Sequence, residues 1–580
     1  MPGIDAGAVS YATESLVVKV NAAALDDDLL QRLLSVTVDD SVSLPAAFAL
    51  VFRDPFHDVV STGGFDFGTP VTISFADGTS LLGKGEVTAT ECELEPTGTL
   101  TVIRGFDVAH RLHRGRTTAV YRDESYADIA RKVASRAGLQ TGTVDTPRMT
   151  VPPQVMQWNQ SDWEFLKGLA SEVGFDLGVS DGKLHFRERP AATAGPSTGG
   201  LDVTDPRQIT LENVTRFRCV VSGAEQVSDV EVRGWNPLTK KEVVGTARVA
   251  APGVALGATP DAAAGKLRGK TLTSVDKLYE RQSDATAAAR ALAEEVGGSF
   301  GNFEGLTHGN PALRAGVPVS LGLAGGAFEG KYTLTATRHT FDEDGYTTWF
   351  ASTGAGDDSL LAMTVGVRER AGVDGVVPAV VTDVRDPSDL GRVKVTFPWL
   401  SRTNESFWAR VAQPWVGRDY GSVFVPEVND EVLVAFEQGD FARPYVVGGL
   451  YNGVEKPNTG STPLVDDASG TVNVRRMATR KQHTIELVDK FGGEGIFVRT
   501  GDGGQVVELD VANTRIAVTS NGKVTIDGAQ GIEIKTTAAL ALKASQISLD
   551  AKQIKVNAEA MLNLKGGAMA VLEGGLVKIN

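Results

Sequence analysis

Two histidines, His110 and His113, stand three apart in HRLHRGR. That spacing lets two imidazoles share one side of a helical turn and hold a metal ion. No third ligand is evident, however, and the flanking Arg111, Arg114 and Arg116 would repel a cation. The remaining histidines, His57, His185, His308, His339 and His483, are scattered along the chain, and no sequence spacing pairs them with a carboxylate.

Two stretches approach phosphate-loop spacing without completing it. In GGAFEGKY, Gly325, Gly330 and Lys331 are correctly spaced, but Tyr332 occupies the position of the magnesium-binding hydroxyl. In AGKLRGKT, Ala264 stands where the first glycine belongs. Glu91, Glu93 and Glu95 alternate, which puts three carboxylates on one strand face. Acid/base work or calcium binding would use such a face, but a solvated strand surface explains it more simply. Glu294 and Glu295 read as the polar side of a helix. The sequence therefore assigns no catalytic residue, no cofactor and no metal.

The elements that would carry these residues are short. In SYADIARKVASRAGL, Ser125 is placed as an N-cap, with Ile129, Ala130 and Val133 on one face and Gly138 as the stop. SDWEFLKGLASEVGF repeats the grammar, with Ser161 and Glu164 as a capping box and Gly174 as the end. A third helix is expected over SDATAAARALAEEVGG, from about Ser283. The rest of 1–370 alternates strands and turns.

Composition narrows the class. The 580 residues carry a net charge of -15 and two cysteines, Cys92 and Cys219. The acidity argues against a nucleic-acid partner, and the cysteine count against a disulfide framework. The N-terminus shows no basic segment followed by an apolar run, so synthesis and assembly in the cytoplasm without a signal peptide is the expectation.

The strongest pattern lies at the C-terminal end. Ile516/Val518, Val524/Ile526, Ile532/Ile534, Leu540/Leu542, Ile547/Leu549, Ile554/Val556, Leu562/Leu564, Met569/Val571 and Val577/Ile579 form pairs two residues apart, each starting seven to nine residues after the last. Residues two apart share a strand face but lie on opposite sides of a helix. Eight residues span roughly 26 Å when extended, too little for one chain to encircle a core. Three chains, each supplying one side, close a triangular prism. The pattern predicts an intertwined, trimeric, parallel β-helix with the pairs from Ile516 to Val571 as its core.

Between these regions, DPSDLGRVKVTFPWL (386–400), FWARVAQPWVG (407–417) and VPEVNDEVLVAFEQGDFARPYVVGGLYNG (425–453) resemble the oligosaccharide-binding-fold (OB-fold) barrel of the valine-glycine repeat protein G (VgrG) and phage baseplate-spike family. Upstream, QWNQSDWEFLKGLASEVGF (157–175), VEVRGWNPLTKKEVVG (230–245) and GNPALRAG (309–316) are similar to its hub, nearest to the spikes of extracellular contractile injection systems. The resemblance implies a mainly β protein: a hub with two barrels and short helices over 1–370, an OB-fold barrel over 371–457, and linker strands with the needle over 458–580.

It further implies a homotrimeric structural spike, not an enzyme, in a phage-tail-like contractile injection system. Its partners would be a hexameric inner tube and baseplate proteins at the hub. A PAAR-repeat (proline-alanine-alanine-arginine) tip protein would sit on Leu576, Val577, Ile579 and Asn580, and effector cargo is conceivable. Type VI secretion and phage baseplates are alternative settings for the same role. The competing readings are a cell-wall hydrolase or tailspike glycosidase, for which the sequence shows no separate domain between barrel and needle, and a β-helix adhesin. Residues 376–457 hold 8 Lys or Arg against 11 Asp or Glu, so the barrel lacks the footprint of an oligonucleotide binder. Its Phe397, Trp399, Trp408 and Trp415 are expected in packing.

Overall fold

The computed structural model describes residues 16–75, 81–96, 98–198, 205–322, 326–353, 375–400 and 405–579. Gly325, Asn580, the start of the 371–380 junction and the side chain of Glu95 lie outside the described residues. The chain is mainly β and divides into two compact units, Met1–Glu455 and Lys456–Asn580.

In the first unit, strands with period-two burial build an eleven-stranded sheet. Ala47–Arg53 and Pro70–Phe75 each bury every second side chain, as a sheet with one covered face requires. The sheet is shared by two halves of the hub. Ala336–Asp342, from the later half, pairs antiparallel with Leu33–Ser41, from the earlier one, setting Arg338 opposite Asp39 and Phe341 opposite Val36. Arg338 and Asp39 form an ion pair at 2.5 Å. Each half keeps a core of its own, one around Leu50, Phe52, Phe65 and Ile73 and the other around Phe303, Tyr332 and Phe350. Phe341 and Tyr346 cross into the first core, their rings stacked at 4.1 Å. The second core lies between this sheet and a four-stranded one that carries Ile209, Val319, Leu321 and Tyr332.

The helices form where the sequence places their caps. The Ser125 hydroxyl accepts from the Asp128 N–H at the head of Tyr126–Arg136. Ser161 and Glu164 complete the capping box of Asp162–Val173, and Gly174 closes it at φ 73°. The third helix, Gln282–Gly298, lies on the hairpin Asp229–Asn236/Lys241–Arg248. Its alanine face allows close approach: a Cβ at Gly245 would stand 2.2 Å from the Ala285 backbone.

Residues 376–449 form a five-stranded sheet whose terminal strands, Lys394–Thr396 and Arg410–Val411, are brought together by the bridge Val393↔Ala409, closing a barrel. The barrel is not sealed by its own residues alone. Trp158, from the hub strand Gln154–Gln160, stacks on Phe441 at 4.9 Å and meets Trp399 edge-on at 5.6 Å. The hub and barrel, separable in sequence near 371, are therefore one packed body.

The second unit begins with an antiparallel meander of Val474–Ala478, Thr484–Val488, Gly495–Arg499, Gln505–Asp510 and Arg515–Ser520. Its register lines up two apolar rows on one face: Met477, Ile485, Val498, Val507 and Val518, and beside them Leu487, Ile496, Leu509 and Ile516. Ile516 and Val518, read from sequence as the first pair of the parallel coil, thus pair instead with Leu509 and Val507 of their own chain. The turn explains the difference. The Asp510 carboxylate accepts from the Asn513 N–H and Thr514 takes φ 49°, which folds the strand back before the repeat begins at Val524.

Among the described residues after Ser520, no helix or strand is formed. The burial expected of a needle core is accordingly not found within one chain. The second members of the pairs, Ile526, Ile534, Leu542, Leu549, Val556, Leu564 and Val571, are exposed rather than buried, at 63% to 74%. The first members Val524, Ile532, Leu540, Ile547, Ile554 and Leu562 are 52% to 58% exposed, and Met569 is more open still. Ile516 and Val518, on the uncovered face of the meander, are exposed as well. The physical reason is the coil length. A chain that turns every seven to nine residues reverses too soon to lay a second layer over its own aliphatics. In the single chain each of these residues is a surface side chain, and the reading of them as a core concerns three chains together.

Candidate functional site

The motifs that suggested chemistry are engaged in packing. The carboxylate of Glu86 takes both His110, at 3.2 Å, and Arg111. His113 instead stacks on Trp163 at 4.9 Å, and burial holds its pKa below the ordinary imidazole value. The two rings of the H-x-x-H motif therefore serve different partners. No group of three metal-ligating side chains occurs among the described residues.

Lys331 donates to the carbonyls of Thr193 and Gly195 at 3.1 and 2.8 Å, while Tyr332 is fully buried in the second hub core. This lysine clasps a neighbouring loop and lies on a strand, Gly330–Thr333, not at the head of a helix. Glu91 is bonded to Arg104 at 2.8 Å on a solvated strand face, as read.

Sequence reasoning did not single out His339. It is buried between Tyr346, whose hydroxyl lies 2.8 Å from Nδ1, and the Leu313 carbonyl, 3.1 Å from Nε2. Nε2 therefore carries the proton to the carbonyl, and Nδ1 accepts. Desolvation pushes its pKa down to about 4, so it is a neutral core residue.

In the barrel, DPSDLGRV proves to be a clasp. The Asp386 carboxylate accepts from the Ser388, Leu390 and Arg392 N–H groups and from the Arg392 guanidinium at 2.6 and 3.0 Å. The Arg392 hydrogen bonds hold this buried carboxyl far below the usual range. Gly391, at φ 67°, supplies the left-handed step that lets the loop wrap one carboxylate. Among the aromatics expected in packing, Phe397 is buried, Trp399 donates to the Pro378 carbonyl at 2.9 Å, and Trp408 lies beneath Lys394. Trp415 is exposed.

Among the described residues, the longest stretch without a partner inside the chain is the repeat. Its pairs, from Val524/Ile526 through Ile534, Leu549, Val556 and Leu564 to Val577/Ile579, keep one exposed aliphatic stripe along the whole segment. Among the described residues after Asn521, the bond formed between backbone groups of the chain is from the Gly531 N–H to the Gly528 carbonyl. An extended run with unpaired backbone groups and an aliphatic stripe is a template for other strands. Of the four residues expected to meet a tip protein, Leu576, Val577 and Ile579 are exposed, and Asn580 lies outside the described residues.

Comparison with known proteins follows this division. The family described as the type VI secretion system/phage-baseplate injector OB domain matches residues 377–451. A second family, the Alg8 N-terminal domain, matches 59–343. VgrG3 of Vibrio cholerae, a type VI secretion system spike protein, is 38% identical over 136 residues, 22% of this chain and 13% of that protein. VgrG1c of Pseudomonas aeruginosa is 35% identical over 118 residues, 19% of this chain and 16% of that one. The matched part is thus well under a fifth of either relative's length. The Francisella PdpA-VgrG complex in its lidded form superimposes with a TM-score of 0.50 at 7% identity, over 87% of this chain and 80% of that one, a likeness of fold. Residues 377–451 thus match the injector OB-domain family, and the chain is similar over about a fifth of its length to VgrG spike proteins of type VI secretion systems.

Proposed function

We propose that three copies of this chain form the structural spike of a phage-tail-like contractile injection system, joining an inner tube at the hub to a puncturing tip. The observation that carries the reading is the aliphatic stripe after Asn521, unpaired in backbone and uncovered in side chain, in a chain whose barrel belongs to the injector family. Three such stripes turned inward would bury their pairs, each fully buried side chain contributing roughly 1.5–3 kcal/mol. They would also pair each chain's backbone with its neighbours. The resulting prism resists bending because a bend would break several interchain bonds at once.

As a mechanical part the protein needs no reaction centre, and it acts by transmitting force. Leu576, Val577 and Ile579 would form an apolar landing surface for a tip protein of the PAAR type, and the hub would meet a hexameric tube. Assembly would take place in the cytoplasm before the particle is fired or released.

Native mass measurement tests the proposal. A mass three times 61.2 kDa is expected. A folded species of one chain, with its C-terminal segment resistant to protease, would overturn it.

A further inference from the structure

The sheet over 474–520 has two unlike faces. On one, Arg476, Glu486, Arg499, Glu508 and Arg515 form a ladder of ion pairs: Arg476 to Glu486 at 3.1 Å, Glu486 to Arg499 at 2.5 Å, Arg499 to Glu508 at 3.7 Å and Glu508 to Arg515 at 2.7 Å. That face pairs its charges within the chain and also seats the buried Val474, Thr484 and Val488. The other carries the two apolar rows, and its side chains remain 38% exposed at Val507 and up to 77% at Ile516. No described segment of the unit covers it. A sheet dry on one face needs a second layer.

Covalent continuity decides what that layer is. The apolar rows end on Ile516 and Val518, and the first pair of the repeat, Val524, follows six residues after Val518. If three chains meet along the repeat, three copies of this sheet are carried to the same axis within about 20 Å of extended chain. The repeat fixes only weakly how those chains align. Its pairs recur every seven or eight residues from Val524 onward, so a chain displaced by one coil still sets pair beside pair, at the cost of the end pairs and of single-residue differences in the connecting turns. The sheet can fix it, because its strands are hydrogen-bonded within one chain and its rows stand at set positions before any partner arrives.

We propose that the apolar face of the 474–520 sheet packs against the same face of two further copies and is the element that sets the register of the three chains. This rests on the three-chain reading of the repeat. The sheet closes from sequential hairpins, which form quickly because their contacts are local. Three dry faces then meet, and the repeat zips from residue 521 with its chains already level.

The test uses the full chain with Cys92→Ser and Cys219→Ser, oxidised with copper phenanthroline. Val498→Cys, on the dry face, is expected to give chain-linked dimers at least tenfold more efficiently than Glu508→Cys, on the ion-pair face. In the natural background, the double variant Leu487→Asp and Val498→Asp should refold to a protease-resistant trimer at least tenfold more slowly than Lys490→Asp, a change on an exposed turn. Equal cross-linking, or equal refolding, in preparations with the mass of three chains overturns the register proposal and leaves the spike reading standing. A mass of one chain overturns both.

Discussion

The hub with its barrel and the C-terminal repeat use the same aliphatic residues at the same strand spacing, yet only one of them closes on itself. In the hub, alternating side chains of Ala47–Arg53 find Phe65, Val71 and Ile73 across a single-chain core. In the repeat, Ile547 and Leu549 and their neighbours find nothing in their own chain. The difference is contour length between reversals. The hub spends strands of up to fifteen residues and long connections on returning to its own core. The repeat turns every seven to nine residues, which is too soon to enclose anything. An interior can therefore be a property of a chain or only of an assembly, and loop spacing decides which.

The largest effect that would break this comparison lies in the repeat. Placing carboxylates at Leu542→Asp and Ile547→Asp would bury unpaired charge three times over in a closed prism. Limited proteolysis is expected to trim that variant back toward Ser520 while sparing the unaltered chain. If the unaltered chain is trimmed just as readily, the repeat has no interior.

The hub should behave oppositely. Phe350→Ala, in a single-chain core, is expected to cost about 3–5 kcal/mol and lower the melting temperature without altering the number of chains in the assembly. Trp158→Ala removes the hub ring that stacks on Phe441 inside the barrel, at a comparable cost of about 3 kcal/mol. Calorimetry should then resolve separate hub and barrel transitions where the unaltered protein shows one.

Two smaller effects depend on pH. The Asp386 carboxyl is held low by Arg392, so its stabilisation is present above the ordinary carboxylate pKa and is lost as pH falls through the lower folded value. Asp386→Asn should cost about 1–3 kcal/mol at pH 7 and almost nothing in strong acid. Asp107 has the opposite sign. Burial raises its pKa to about 7, so its ionisation leaves the folded state progressively less stable between about pH 4 and pH 7. Asp107→Asn, which keeps an oxygen acceptor for the Ala109 N–H, should raise the melting temperature at pH 8 and leave it unchanged at pH 4.

Much of the local structure was legible because it depends on neighbours in sequence. Ser125, Ser161 and Glu164 cap the helices they were read to cap, and Asp386 through Arg392 hold a loop whose residues lie within seven positions. His110 and His113 were legible only as a spacing. Their real partners, Glu86 and Trp163, arrive from other elements, and nothing in HRLHRGR announces them. Trp158 read as part of a hub motif, but its place in the barrel core depends on a contact nearly 300 residues away. Ile516 and Val518 fit the repeat by periodicity, yet a turn at Asp510–Thr514 gives them to an antiparallel hairpin, since periodicity fixes a face and not a strand's partner. The same limit holds further along: the spacing of Ile526, Ile534, Val556 and Leu564 marks a shared face, and one chain alone leaves that face open to water.

By itself, then, the sequence determined strand spacing, helix ends and the impossibility of a one-chain coil, because each follows from covalent geometry over a few residues. Which halves share a sheet, which ring packs into the barrel and which face of 474–520 carries the apolar rows were decided only by the tertiary structure. Those outcomes turn on surfaces brought together from distant parts of the chain, where packing competes among many partners of similar chemistry.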